Sequence, residues 1–233
     1  MRDRLLPSLE SSLSAASSEG PGEGLLGALL NGSGAALLRW FGPTLILLAL
    51  MFVCFPVGWL GGPAVQATFA VVPRTMDGLA GMFSMPVMHG SWQHLVGNAA
   101  VVLVLSPTAA LVSRRPWYLT TVCWLGAGLL TWLLGTPGAH IGASGIVYAF
   151  TCFLLVYGFS ARRWLTLSIC LLVTGPLLGG TIAGLIPQAG VSWSAHLAGA
   201  ITGVLAALLL GKIDRVEGGR PPLDSGSEAA LTA

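Results

Sequence analysis

Charged side chains are scarce in this chain. Of its 233 residues, 9% are charged and 54% are hydrophobic, and the mean hydropathy is +0.80. A soluble domain carries about 25% charged residues. This chain lacks the side chains to cover a water-facing surface, so it reads as a polytopic membrane protein. The net charge of +2 is too small to suggest nucleic acid as a partner. Carboxylates are scarcer still, with none between Gly78 and Ile213. That gap excludes a Ser-His-Asp triad within the membrane core, and equally a His-Glu-x-x-His zinc site. Cysteine offers no framework either. Cys54, Cys123, Cys152 and Cys170 are widely spaced in apolar runs and read as small buried hydrophobes. No removable signal peptide is expected, because a polar stretch of about forty residues precedes the first long apolar run.

What is there is a set of six apolar runs, at roughly 43–61, 92–112, 117–134, 144–160, 164–186 and 194–211. Each is close to the span length of about 20 residues. The expectation is an all-α bundle of six transmembrane helices over 43–211. A cytoplasmic N-terminal tail (1–42) and a disordered polar C-terminal tail (212–233) flank it. In the N-terminal tail, Leu25, Leu26, Leu29 and Leu30 suit a short interfacial helix, with plain disorder as the alternative. Arginine and lysine mark alternate ends. Arg2, Arg4 and Arg39 precede run one, Arg114 and Arg115 follow run two, and Arg162 and Arg163 follow run four. Lys212, Arg215 and Arg220 follow run six, and only Arg74 falls on the other side. The positive-inside rule therefore puts both termini in the cytoplasm of a multi-pass cell-membrane protein. The outward loop 62–91 is largely apolar and is expected to lie partly in the membrane.

Runs two, four and six all run from outside to inside, so residues early in each lie near the outer surface. His94 and Asn98 are early in run two, on one helix face at i and i+4. Ser144 opens run four between Ala143 and Gly145, and Tyr148 follows on its face. His196 is early in run six, with the small-residue stripe Gly199-x-x-x-Gly203 behind it. That stripe permits close approach of a partner helix, and Gly145 offers a matching surface. If runs four and six pack there, His196 reaches Ser144 and Tyr148 flanks the imidazole. Each residue alone has a plainer reading as a helix-packing or hydrogen-bonding group. Polar groups inside a bilayer are costly and default to function, however, and four at one depth carry more weight than any single one. A carboxylate-free histidine metal site from His89, His94 and His196 is the less favoured alternative. No metal or other cofactor is expected. His140, in the short loop before Ser144, reads as a solvated loop residue. Run five holds Gly175, Pro176, Gly179, Gly180 and Gly184, which suits a kinked helix or simply close packing.

Together these residues resemble the rhomboid family of intramembrane serine proteases. Gly142-Ala143-Ser144-Gly145 is similar to its Gly-x-Ser-Gly nucleophile motif, with Tyr148 following. His89-Gly-Ser-Trp-Gln-His94-Leu-Val-Gly-Asn98 resembles its motif on the second helix. Ala195-His196-Leu-Ala-Gly199-Ala-Ile-Thr-Gly203 resembles its sixth-helix motif. The resemblance implies a Ser144–His196 dyad, with His94, Asn98 and the Ser144 N–H stabilising an oxyanion. Supporting parts fall to Tyr148, Gly142, Gly145, Gly199 and His89. It implies substrates that are single-span membrane proteins, entering sideways near spans two and five and cut toward the outer face. The family's Trp-Arg pair in the first outer loop is missing, since Leu79-Ala80-Gly81-Met82-Phe83 stands there. That puts the loop's own structure in question more than the chemistry. Two other classes remain open: a rhomboid-like protein that binds membrane clients without cutting them, and a small transporter. The transporter is the weaker of the two, because no polar path continues inward from the cluster.

Overall fold

The structure, a computed structural model, describes residues 34–218. It is all-helical apart from one isolated bridge between Val71 and His140. The helices are α1 (Gly34–Phe69), α2 (Met76–Leu79), α3 (Gly81–Ser84), α4 (Trp92–Ser113), α5 (Pro116–Leu134), α6 (Ser144–Ser160), α7 (Trp164–Thr174), α8 (Leu178–Ala183) and α9 (Trp193–Gly218), with 3₁₀ turns at Met85–Val87 and Gly175–Leu177.

Among the described residues, five stretches are long and apolar enough to cross a membrane: Leu37–Phe69, Trp92–Ser113, Pro116–Leu134, Trp164–Ala183 and Trp193–Val216. The expected sixth, α6, has only 17 residues. It is the innermost helix, packed most closely by α9 and also by α7, α4 and α5. Ile146, Phe150, Phe153, Leu154 and Tyr157 on it are fully enclosed. At 1.5 Å per residue α6 is about 26 Å long, less than the ~30 Å hydrocarbon core. A helix wrapped by protein can be that short, because its ends meet other chain segments and not lipid.

Three expected boundaries move, the first being the end of run one, where the helix continues past residue 61 to Phe69. α1 begins at Gly34, before residue 43, and runs through Pro43, Pro56 and Pro63. Proline in a membrane helix is tolerated where neighbours re-satisfy the freed backbone groups. The break comes instead at Gly62, whose φ of 67° and ψ of −166° are non-helical, a conformation open to glycine. At the other end α9 continues past residue 211 to Gly218. The expected helix at Leu25–Leu30 and most of the C-terminal tail lie outside the described residues. Run five is broken into α7, a 3₁₀ turn at Gly175-Pro176-Leu177, and α8. The outer loop is divided in its packing. Val71, Met85, Val87 and Met88 are buried in the bundle, while Phe69, Met76 and Phe83 are exposed.

The turns carrying Arg114 and Arg115, and Arg162 and Arg163, meet the end of α9 at one end of the bundle. There Arg115 lies 3.5 Å from Asp214, and the Tyr157 hydroxyl donates to the same carboxylate. Gly211 packs on Ser160 beside them. Arg74 lies at the opposite end, where it donates to the Gly135 carbonyl at 2.9 Å.

The α6–α9 contact depends on glycine. A Cβ on Gly199 would fall 2.0 Å from the Gly145 carbonyl oxygen, and one on Gly203 would fall 2.0 Å from that of Ala149. Backbone cannot yield as a side-chain tip can, so the two helices touch main chain to main chain. Gly199→Ala is expected to lower stability by about 1–3 kcal/mol through overpacking, read as a drop in unfolding temperature in detergent. Gly97→Ala on α4, where a Cβ meets nothing within 4 Å, should leave that temperature unchanged or raise it. Equal effects of the two would contradict the packing account.

Candidate active site

The site is built from the ends of three helices. On α4, Ser91 caps the helix and its hydroxyl accepts from the His94 N–H at 3.2 Å. The cap fixes His94 in the first turn and Asn98 one turn on, both facing α6. α6 opens at Ser144 after a tight approach. Gly142 has φ +108°, and a Cβ there would strike the His94 ring at 2.5 Å. The Gly142 N–H donates to the Met85 carbonyl at 2.8 Å, which pins this segment to the outer loop. Only glycine meets both demands.

The Ser144 oxygen lies 2.9 Å from His196 Nε2, and His196 Nδ1 lies 2.7 Å from the Gly184 carbonyl oxygen. A carbonyl only accepts, so Nδ1 carries the hydrogen. In the neutral ring Nε2 is then bare and accepts from the Ser144 hydroxyl. Tyr148 stacks on His196 with ring centroids 4.3 Å apart and planes 6° from parallel. Its own hydroxyl donates to the Thr181 carbonyl at 2.8 Å. Ser144, His196, His94 and Asn98 all line one cavity of about 510 Å³, with Gly190 and Val191 of the α8–α9 loop on its rim.

Asn98 is nearly buried, and its side-chain nitrogen has no hydrogen-bond partner among the described residues. A donor kept dry and unpaired is costly, and this one borders the cavity. Ser144 is the first residue of α6, so its N–H and the next ones lack intrahelical acceptors. The site therefore presents donors on two sides of the serine.

His89 is fully buried, sits edge-on to His94 at 4.9 Å, and its Nε2 accepts from the Ala143 N–H at 3.3 Å. It braces the residue before the serine and does not reach the cavity. Burial pushes its pKa down to about 4; nearby His94 adds to the shift and the Val87 carbonyl opposes it. Among the described residues no group of three His, Cys, Asp or Glu side chains is placed to hold a metal ion.

The solvated reading of His140 is wrong. His140 is 4% exposed and forms the bridge to Val71 through both backbone groups. Its Nε2–H donates to the Thr136 carbonyl at 2.8 Å. The Thr136 N–H in turn donates to the Ser194 hydroxyl oxygen at 3.0 Å, two residues before His196. Loop 135–143 thus ties the α6 start to the α9 start. Arg74 and Trp132 hold the outer loop against the same region. Arg74 donates to the Gly135 and Leu133 carbonyls, and the Trp132 ring N–H donates to the Thr75 carbonyl at 2.7 Å. These contacts anchor the loop from which the Trp-Arg pair is missing. The sequence signal for Arg74 was its separation from the other basic clusters; for His140 and Gly184 there was none.

Residues 77–213 match the family model described as the rhomboid domain. Proteins of Mycobacterium tuberculosis and Mycobacterium bovis, each named only as uncharacterized, are 38% identical over 192 residues, spanning 76% of this chain and 79% of the relative. An uncharacterized protein of Mycobacterium leprae is 40% identical over 151 residues, spanning 60% of this chain and 59% of its own length.

The buried His89 sets a pH dependence. Above its ordinary value of 6.5 the ring is neutral in both states. Below that, the unfolded chain takes a proton that the folded chain refuses until about pH 4. Stability therefore falls as pH drops from 6.5 to 4, by up to about 1.4 kcal/mol per pH unit. His89→Gln, which keeps an acceptor for Ala143, should lose less stability over that window when unfolding temperatures are compared. Parallel pH curves for the two proteins would contradict the assignment.

Proposed function

The chain belongs to the rhomboid family, and from that premise we propose that it is an intramembrane serine endopeptidase that cuts single-span membrane proteins by a Ser144–His196 dyad. The observation that supports this most is the 2.9 Å contact between the Ser144 oxygen and His196 Nε2, at a cavity lined also by His94 and Asn98. Ser144 attacks the scissile carbonyl while Nε2 takes its proton, and the imidazolium returns that proton to the leaving amine. Water then hydrolyses the acyl-enzyme, with His196 again as base. The oxyanion is held by the Asn98 side-chain N–H, His94 and the N–H groups opening α6. No carboxylate is required to hold the imidazole, because Tyr148 stacks on one face of it.

The rest of the notional topology fits this reading. α6 serves as a sixth span within the 43–211 core, short enough to set Ser144 below the outer surface. The arginine-bearing end faces the cytoplasm with both termini, and the dyad end faces outward. The cavity supplies water at that depth through polar walls. Favoured substrates carry small or helix-breaking residues near the outer end of a span, where a helix unwinds readily.

Cleavage of a designed single-span substrate in liposomes tests the proposal, with the new terminus sequenced. Wild type should cut, and Ser144→Ala and His196→Ala should not. Asn98→Ala should fold and lose about 10²–10³ in kcat, the usual cost of one oxyanion donor. Retained binding without any cleavage by wild type would favour the non-proteolytic reading instead. Full activity in Asn98→Ala would remove that residue's role.

A further inference from the structure

The dyad has no acidic third member, yet His196 is not free to turn. We infer that the C-terminal end of α8 positions the base: the Gly184 carbonyl orients His196, so the dyad is competent only while α8 is seated against α6 and α9. This rests on the proteolytic reading above.

Two carbonyls at the end of α8 serve the site. The Gly184 oxygen accepts from His196 Nδ1–H at 2.7 Å, and the Thr181 oxygen accepts from the Tyr148 hydroxyl at 2.8 Å. The last carbonyls of a helix lack intrahelical donors, so both are free for this use. One bond sets the imidazole directly. The other fixes the ring stacked on it. Together they hold the imidazole by its edge and by its face. The partial negative charge of those carbonyls also favours the imidazolium that forms when Ser144 gives up its proton.

The tautomer follows from the same bond. With hydrogen on Nδ1, Nε2 is the base. Without that acceptor the ring can place its hydrogen on Nε2, where it cannot accept from Ser144. In the Ser-His-Asp case, a wrong tautomer alone costs about 10⁴ in rate.

α8 is weakly held otherwise. None of its residues is buried, and Cβ atoms on Gly179 and Gly180 would meet nothing within 4 Å. The 3₁₀ turn at Gly175-Pro176 separates it from α7, and Pro176 cannot continue the hydrogen-bond ladder. Its tightest contact is the site itself. A Cβ on Gly184 would fall 2.1 Å from the Tyr148 hydroxyl oxygen and 3.2 Å from His196 Nδ1. Opposite an intact Tyr148, position 184 therefore admits only glycine if α8 is to stay seated. The segment that orients the base is the one least anchored by apolar burial, so displacing it disarms the site without touching Ser144.

The test is ¹⁵N NMR of the full chain with labelled histidine in detergent at neutral pH, the His196 signals being assigned by their loss in His196→Gln. Wild type should show His196 as the Nδ1–H tautomer. Gly184→Ala should give mixed tautomers and a kcat about 10²-fold lower with KM little changed. Adding Tyr148→Phe removes the hydroxyl that the new methyl strikes and should recover part of the Nδ1–H signature, the bond to the Thr181 carbonyl being lost with the hydroxyl. An Nε2–H tautomer in wild type, or an unchanged spectrum and kcat in Gly184→Ala, would overturn the inference. The wild-type spectrum decides alone if Gly184→Ala does not fold. It needs no turnover: an Nδ1–H signal in a protein that cuts nothing would sink the protease reading and leave only the orientation of the ring by Gly184 standing, whereas an Nε2–H signal in a protein that cuts would sink this inference alone.

Discussion

One hydrogen bond holds the account together: the Ser144 hydroxyl to His196 Nε2, made between two helices and far apart in sequence. Its length is set by how closely α6 and α9 approach. Gly199 and Gly203 lie against the Gly145 and Ala149 carbonyls with no room for a methyl group. Glycine at these positions sacrifices helix propensity, about 1 kcal/mol per residue relative to alanine. The return is main-chain contact, which fixes the separation more rigidly than interleaved side chains would. Rigid elements are where a catalytic pair is best built, since a misplacement of about 1 Å can cost 10²-fold in rate.

The surrounding loops turn that helix pair into a site. Loop 135–143 is fastened at both ends: Gly142 to Met85, and Thr136 to Ser194. His140 bridges Val71 across it. His89 supports Ala143 from beneath. Arg74 and Trp132 clamp the outer loop to the end of α5. Among the described residues, three buried side-chain nitrogens at this end have no hydrogen-bond partner: His89 Nδ1, His140 Nδ1 and the Asn98 amide nitrogen. Of these residues only Asn98 lines the cavity, where an unpaired donor is wasteful in a structural residue and useful in one that meets a developing negative charge.

Much of this was legible from residue order. Spacing of four put His94 with Asn98 and Ser144 with Tyr148. Alternating arginines put three of the runs in one direction, and so put four polar groups at one depth. The small-residue stripe after His196 named its partner helix. The break in run five followed from Gly175 and Pro176. What stayed hidden was carried by backbone and loops. The acceptor at Gly184 is a carbonyl, which every residue owns, so no side-chain pattern marks it. His140 was misread because a loop position suggests water, whereas its burial comes from a bridge to a segment 69 residues away. Arg74 stood apart from the other cations in the sequence, but nothing there marked its acceptors. The first helix starts earlier than its apolar run, at Gly34, and carries Pro43 within it, because proline is tolerated inside a membrane helix.

The central claim, a serine made nucleophilic by a neighbouring imidazole alone, is tested most directly by a fluorophosphonate probe with the adduct mapped by mass spectrometry. The account predicts a single covalent adduct on Ser144 in the membrane-embedded protein, lost when His196 is replaced by alanine. An unmodified Ser144, or labelling that proceeds as fast without the imidazole, would contradict it.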